Sequence, residues 1–234
     1  MSSYKTAMPR PDHLPPPGWR RWAEALSLGA RFWRAFGRVG PRGPVDGAKA
    51  MVLPGFLATD RTTLGLQRAL AAAGYRVTGW GLGFSRGTRR DTLDRIVAQV
   101  EAFGAGEPVL LIGWSLGGVY AREVAKRRPD LVRAVVTLGS PFSGDPRANN
   151  VWRLYERVSG HPVDRPPVEL HADVKPPVPT LAFWSRRDGI VAPAAARGTP
   201  EESNAQVELD CTHMGFATSG RAFPKIIEAV QLLA

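Results

Sequence analysis

A serine hydroxyl becomes a useful nucleophile when a base takes its proton and nearby dipoles hold the charge that develops on its substrate. Ser115 stands in a setting that suits this chemistry. In LLIGWSLGGVYARE, residues 110–123, an apolar run precedes the serine, Gly113 and Gly117 flank it, and a helical pattern follows. Strand, G-x-S-x-G and helix in that order describe a nucleophile elbow. The turn is so tight that the serine takes a strained backbone conformation and its Oγ is lifted above the sheet. Gly113 and Gly117 are needed because a Cβ there would strike the adjoining strand or helix. Ser115 also falls at a helix N-terminus, where the Leu116 N–H and the helix dipole favour an oxyanion. A plain glycine-rich loop is the competing reading, and the buried strand before and helix after argue against it.

The base must be found among four histidines. His13 lies in a proline-rich arm, and His161 and His171 lie in an irregular stretch. His213, in CTHMGF, follows the last strand-like run and precedes the last helical one, so it belongs at the carboxyl edge of a sheet. It is the favoured base. The carboxylate that orients it should lie between Ser115 and His213, just past a strand. Asp188, in PTLAFWSRRDGIV, meets both conditions. Asp130, Asp145, Asp164 and Asp173 fit less well, and Asp210, three residues from His213, competes. A second oxyanion donor should come from the loop after the first core strand, MVLPGFLATD, where Gly55 permits a turn and Phe56 offers its N–H. This chemistry calls for no cofactor and no metal. Trp114, Phe142, Trp152 and Tyr155 are the candidate substrate-binding side chains.

These residues need a frame to bring them together. Short apolar runs at Ala48–Leu53, Arg76–Gly79, Val109–Ile112, Val135–Leu138, Thr180–Trp184 and Val207–Leu209 read as strands. Helical patterns at Thr62–Ala73, Thr92–Phe103, Gly117–Arg127 and Ala222–Leu233 alternate with them. That alternation predicts an α/β fold, a mostly parallel sheet with helices on both faces. Residues 143–176 break the rhythm, holding one weak helix near Trp152–Arg157 and then a proline-rich stretch. A long insertion of this kind after a strand should overhang the site, as a cap.

The chain of 234 residues is long enough for one such domain and a sizeable core. One cysteine, Cys211, gives neither a disulfide framework nor a zinc-binding spacing, which suits a reducing compartment. There is no run of about 18 apolar residues and no apolar segment of the signal-peptide kind at the start, so the cytoplasm is the expected location. A net charge of +10 raises the question of nucleic acid or membrane partners. Without basic motifs interleaved with aromatics, nucleic acid is not expected, and a basic compositional habit explains most of the charge. Residues 1–18 read as an extended arm. Residues 19–38 read as a helix with Trp19, Trp22, Leu26 and Trp33 on one stripe. Residues 1–46 hold eight basic and three acidic side chains, so this helix suits either peripheral contact with anionic lipid or packing on protein. Oligomeric state is not legible.

Chain order Ser, Asp, His, together with LPGF, GWSLGG, LGSPF, SRRDGIV and THMGF, resembles the α/β-hydrolase superfamily, and within it bacterial lipases and esterases. The resemblance covers residues 47–234, with 1–46 as a separate N-terminal segment. It implies a reduced α/β-hydrolase fold and hydrolysis of small-molecule or lipid carboxylic esters through an acyl-serine. Acyl transfer and thioester hydrolysis use the same triad and are the alternatives. Pro54 stands where the lipase pattern usually has histidine, which leaves the oxyanion loop without that side-chain support.

Overall fold

The computed structural model describes residues 11–21, 24 and 47–233. Six strands form one sheet: β1 (Lys49–Leu53), β2 (Arg76–Gly79), β3 (Val109–Trp114), β4 (Val132–Leu138), β5 (Thr180–Trp184) and β6 (Ala205–Glu208). Their order is β2-β1-β3-β4-β5-β6 and every pairing is parallel. Parallel neighbours require crossovers. These run through α1 (Leu64–Ala72), α2 (Thr92–Gly104), α3 (Leu116–Arg127), α4 (Trp152–Ser159) and α5 (Pro193–Arg197), followed after β6 by α6 (His213–Thr218) and α7 (Phe223–Gln231).

Alternate strand residues face opposite sides, and both sides are buried. Ala50, Val52, Leu110, Ile112, Val136 and Leu138 pack against Leu66 and Leu70 of α1, Phe216 of α6 and Ile226 and Ile227 of α7. Met51, Leu53, Val109, Leu111 and Val135 pack on the other side against Leu93, Ile96 and Val100 of α2 and Tyr120 and Val124 of α3. The chain leaves β1 for one face and β3 for the other. A crevice therefore opens between the ends of these two adjacent strands, at the point where the strand order reverses. The loop containing Phe56 and the turn at Ser115 flank that crevice.

The expected strands and helices are present, and the differences have local causes. β4 begins at Val132, three residues before the apolar run, because exposed Arg133 interrupts a stretch whose other members are buried. β6 ends at Glu208 and is only half-buried, as an edge strand, so its alternation is weak. Two short helices were not legible. Pro193–Arg197 is an alanine run with proline in its first turn, and His213–Thr218 turns the expected loop histidine into a first-turn residue. The Thr212 hydroxyl caps this second helix by accepting from Gly215 N at 3.2 Å.

Residues 143–176 follow β4, with α4 as their regular part. Their far end is fastened to α3. Arg122 is the largest fully buried side chain among the described residues, and its guanidinium donates to the Ala172 carbonyl and, at 2.8 Å, to the Glu202 carbonyl. Its Cζ lies 4.2 Å from the Phe142 ring centroid. Glu123 accepts from His171 N at 2.9 Å, and Lys126 bridges Glu123 and the His171 carbonyl.

Of the N-terminal helix, Trp19, Arg20, Arg21 and Glu24 are described and helical, while Trp22, Leu26 and Trp33 of the expected stripe lie outside the described residues. Trp19 is 67% exposed. Residues 11–18 differ from the loose arm expected. Pro16 is buried, its carbonyl accepts from Asn150 Nδ2 at 2.7 Å, and Asp12 pairs with Arg197 at 3.4 Å. Prolines lack N–H donors but keep their carbonyls, so a side-chain amide can hold such a stretch without secondary structure. Among the described residues no helix is long and apolar enough to cross a membrane.

Replacing Arg122 with leucine removes the donors for two part-buried carbonyls. We expect a loss of about 2 kcal/mol of unfolding free energy, read as a lower urea midpoint, with faster proteolysis within residues 170–174.

Candidate active site

The site is built where β1, β3, β5 and β6 end. At the end of β3, Ser115 has φ +54° and ψ −123°, outside the regions that side chains ordinarily occupy. Holding a residue there costs about 1–3 kcal/mol, so the surroundings must enforce it. Three glycines let them do so. A Cβ on Gly113 would collide with the backbone of Gly117 and Gly118. One on Gly117 would strike the Leu53 carbonyl, and one on Gly118 the Ser140 hydroxyl. Strand and helix thus approach each other, and β1, more closely than any side chain allows. Ser115 N donates to the Leu138 carbonyl at 2.9 Å, which secures the turn to β4.

His213 and Asp188 meet past the ends of β6 and β5, with His213 packed on Trp114. His213 Nδ1 lies 2.8 Å from Asp188 Oδ2, with both side chains buried. Asp188 Oδ1 accepts from Ile190 N at 2.7 Å and Val191 N at 2.8 Å, so its orientation is set by its own loop. With Nδ1 turned to Asp188, Nε2 is the ring nitrogen left for proton exchange. Burial works against the imidazolium. The Asp188 charge and hydrogen bond, and then the charge of Glu24, outweigh burial and raise the His213 pKa above its ordinary value.

Most of the rival groups are elsewhere engaged. Asp210 is exposed and pairs with Arg187 at 3.2 Å, and Asp130 pairs with Arg128 at 2.7 Å. Asp164 pairs with Arg147 at 3.0 Å, and Asp145 accepts from Arg147 N. His171 contacts Glu169 on the surface, and His161 Nε2 lies 3.0 Å from the Thr88 carbonyl. His13 is exposed. No group of three or more His, Cys, Asp or Glu side chains is arranged to hold a metal among the described residues.

Phe56 and Leu116 come to the same place. Gly55 packs against Ser115, and a Cβ on it would lie 3.0 Å from Ser115 Cβ and 3.3 Å from the Trp114 carbonyl. Leu116 opens α3, where a first-turn N–H has no intrahelical acceptor. Neither the Phe56 N–H nor the Leu116 N–H has an intramolecular partner among the described residues, so both are available to an oxyanion. Leu57, with φ +57°, donates its N–H to the Ser85 carbonyl at 2.8 Å, which supports the loop that has Pro54 in place of histidine.

A cavity of about 230 Å³ opens over Ser115. Phe56, Leu116, Val119, Phe142, Trp152 and Tyr155 give it an apolar lining, and Asp164 and Asp173 reach its wall. Phe142, Trp152 and Tyr155 therefore stand where the sequence places substrate contacts. Trp114 does not. It is buried beneath the site, its ring centroid lies 5.5 Å from that of His213, and its Nε1 donates to the His213 carbonyl at 3.1 Å. β3 continues through residue 114, and strand alternation turns this side chain to the face opposite the cavity. Tyr155 is held by Thr88, whose N–H donates to its hydroxyl at 3.1 Å and whose Oγ1 accepts from it at 3.0 Å. Thr88 also meets Tyr120 Oη at 3.2 Å. Neither Thr88 nor Glu24 was singled out from the sequence. A lone threonine and a lone glutamate among arginines carry no local signal, and only the assembled loops give them partners.

The sequence pattern of the alpha/beta hydrolase fold family matches residues 51–159, which include the elbow. The chain has the α/β-hydrolase fold, with six parallel strands and helices on both faces. Sixty residues are 42% identical to the pimeloyl-[acyl-carrier protein] methyl ester esterase of Salmonella heidelberg strain SL476, covering 26% of this chain and 23% of that protein. The chain thus spans about a quarter of the length of the curated relatives it matches. A putative aryl esterase from Burkholderia cenocepacia superposes with a TM-score of 0.57 at 16% identity, over 83% of this chain and 93% of that one. A thioesterase domain from the curacin biosynthetic pathway gives 0.53 at 16% identity, over 81% and 92%. At these identities the structural likeness establishes the fold.

The raised His213 pKa favours the imidazolium, so the basic form is lost as pH falls through a value above the ordinary 6.5. The acid limb of kcat/KM for an ester should therefore lie above pH 6.5. Asp188→Asn should lower kcat by about 10³ to 10⁴, while Asp210→Asn should cost less than about tenfold. Steady-state rates of the two variants decide between the carboxylates.

Proposed function

We propose that the protein is a serine hydrolase acting on carboxylic esters. The observation that carries this reading is a strained elbow serine in the wall of a mostly apolar cavity, with a buried His213–Asp188 pair held against the adjoining Trp114 and two backbone donors without intramolecular partners among the described residues. Ser115 Oγ attacks the ester carbonyl carbon as His213 Nε2 takes its proton. The Phe56 and Leu116 N–H groups stabilise the oxyanion of the tetrahedral intermediate. Collapse breaks the bond to the alkoxy oxygen, which leaves as the alcohol with the proton from His213. Water, deprotonated by the same imidazole, then attacks the acyl-serine. The second collapse releases the acid and returns the proton to Ser115. Asp188 orients the ring and stabilises the imidazolium without itself taking the proton.

The cavity supports a small acyl group. Its volume of about 230 Å³ falls below the roughly 300–1,000 Å³ typical of sites for drug-sized ligands. Its mostly apolar lining suits an uncharged acyl chain, and the Asp173 carboxylate in its wall disfavours an anionic one. Residues 143–176 act as a cap in this reading, with Trp152 as its aromatic contact. That ring is only half-buried, and Arg147 and Arg153 lie over it at 5.6 and 4.8 Å.

A fluorophosphonate should label wild-type protein at Ser115 and abolish ester turnover, and Ser115→Ala should neither react nor turn over. Labelling that persists in Ser115→Ala overturns the assignment. In a p-nitrophenyl ester series, kcat/KM should be at least about tenfold higher for butyrate than for palmitate. Trp152→Ala should change that ratio by more than about threefold, while its melting temperature stays within about 2 °C of wild type.

A further inference from the structure

The proposed mechanism leaves one buried carboxylate next to the site without a part. Glu24 is 4% exposed and comes from the N-terminal segment, far in sequence from every other residue of the site. Its Oε1 accepts from His213 N at 2.7 Å and from Gly189 N at 3.2 Å, and its Oε2 accepts from Met214 N at 3.2 Å. One side chain therefore bonds the backbone of His213 itself and the residue that directly follows Asp188. The segment fits closely there. A Cβ on Gly189 would lie 2.9 Å from the Arg20 carbonyl and 3.0 Å from Glu24 Cγ. Arg20 Nη1 donates to the Arg186 carbonyl at 2.8 Å, and Asn150 Nδ2 bridges the carbonyls of Pro16 and Gly189 at 2.7 and 2.9 Å.

We propose that Glu24 is a positioning residue of this site, tying the His213 turn to the Asp188 loop so that the imidazole is held in register with Ser115. The proposal rests on the serine-hydrolase reading above. The physical need is specific. Past the strand ends the loops after β5 and β6 are joined by Leu209 N to the Trp184 carbonyl at 2.8 Å and by Ser185 Oγ to the Cys211 carbonyl at 2.6 Å, both short of His213, and the His213–Asp188 bond beyond them lets the pair move together relative to Ser115. Trp114 fixes the His213 carbonyl from one side, and Glu24 fixes its N–H from the other. Without the carboxylate, the N–H groups of His213, Met214 and Gly189 lose their acceptor in a buried place, and the turn must shift to recover one. Residues before 47 then complete the site as well as preceding the α/β domain.

Glu24 and Asp188 are the charged groups whose fields raise the pKa of His213. Cys211 shares its loop, α1, packed on α6, has Arg68 as its single charged residue, and Arg187 and Asp210 pair with each other on the surface. Removing the Glu24 charge therefore moves the acid limb of kcat/KM to lower pH. A peg that only stabilises the fold changes the fraction of working sites, not the acid limb of those that remain.

The test uses the full chain as wild type, Glu24→Gln, Glu24→Asp and Arg20→Ala, with working sites counted by fluorophosphonate titration and rates taken on p-nitrophenyl butyrate. Glutamine has nearly the same shape but lacks the charge and presents N–H donors to N–H groups. Per titrated site, Glu24→Gln should lose about 10- to 100-fold in kcat with KM within about twofold, and its acid limb should lie below that of wild type. Glu24→Asp should recover part of kcat and the wild-type acid limb. Arg20→Ala should match wild type per site. Per-site kcat and acid limb of Glu24→Gln equal to wild type overturn the proposal while leaving the hydrolase reading intact. A wild-type chain that takes no label overturns both. If Glu24→Gln gives no titratable sites, Glu24→Asp decides, because a per-site kcat equal to wild type shows that reaching all three N–H groups is unnecessary.

Discussion

The structure depends on a contact that side chains would prevent. At Gly113, Gly117 and Gly118 the end of β3 and the start of α3 lie against each other and against β1 and Ser140, with no room for a Cβ. That approach lets the chain reverse within one residue and holds Ser115 at φ +54°. The conformation is unfavourable for a serine by itself, and it persists because β1, β3 and β4 are paired on either side and buried on both faces. Sheet cohesion is in this sense what maintains the serine in the turn.

A second constraint follows from the strand order. β1 and β3 are neighbours, yet their connections leave toward opposite faces, so the sheet edge opens between Phe56 and Leu116. Phe56 and Leu116 then line one cavity together. What that space admits is decided by residues 143–176. Arg122, Glu123 and Lys126 of α3 hold the far end of the segment, and Tyr155 is fixed through Thr88. Most of these bonds go to backbone carbonyls or N–H groups, so the segment is ordered with little regular structure of its own.

Buried polar groups divide into two kinds here. Asp188 and Glu24 have their acceptors matched to named N–H groups on the loops that carry the site. Arg122 is matched to the Ala172 carbonyl of that segment and to the Glu202 carbonyl. Each is a polar group taken from water and repaid locally by hydrogen bonds, the condition under which burial is tolerated. Each also ties parts of the chain that are distant in sequence, so its removal is felt in the geometry of the site as well as in stability.

The sequence by itself determined what depends on local pattern. Apolar runs and helical periods placed the strands and main helices, because burial on two faces and helix amphipathicity both leave a periodic mark. The elbow was legible for the same reason: its strand, glycines, serine and helix are contiguous, and the close approach they permit is a local steric fact. Asp188 was favoured over Asp210 from strand context, and the structure brings Asp188 to His213. Tertiary structure decided the rest. It placed Trp114 beneath His213 when two further residues of strand set the side chain's face. It made His213 the first residue of a helix, shaped the cavity from a stretch without periodicity, and brought Glu24 against two loops more than 160 residues away. None of these has a local signature, because a hydrogen bond between distant backbone and side chain exists only once the sheet has set the positions of its loops.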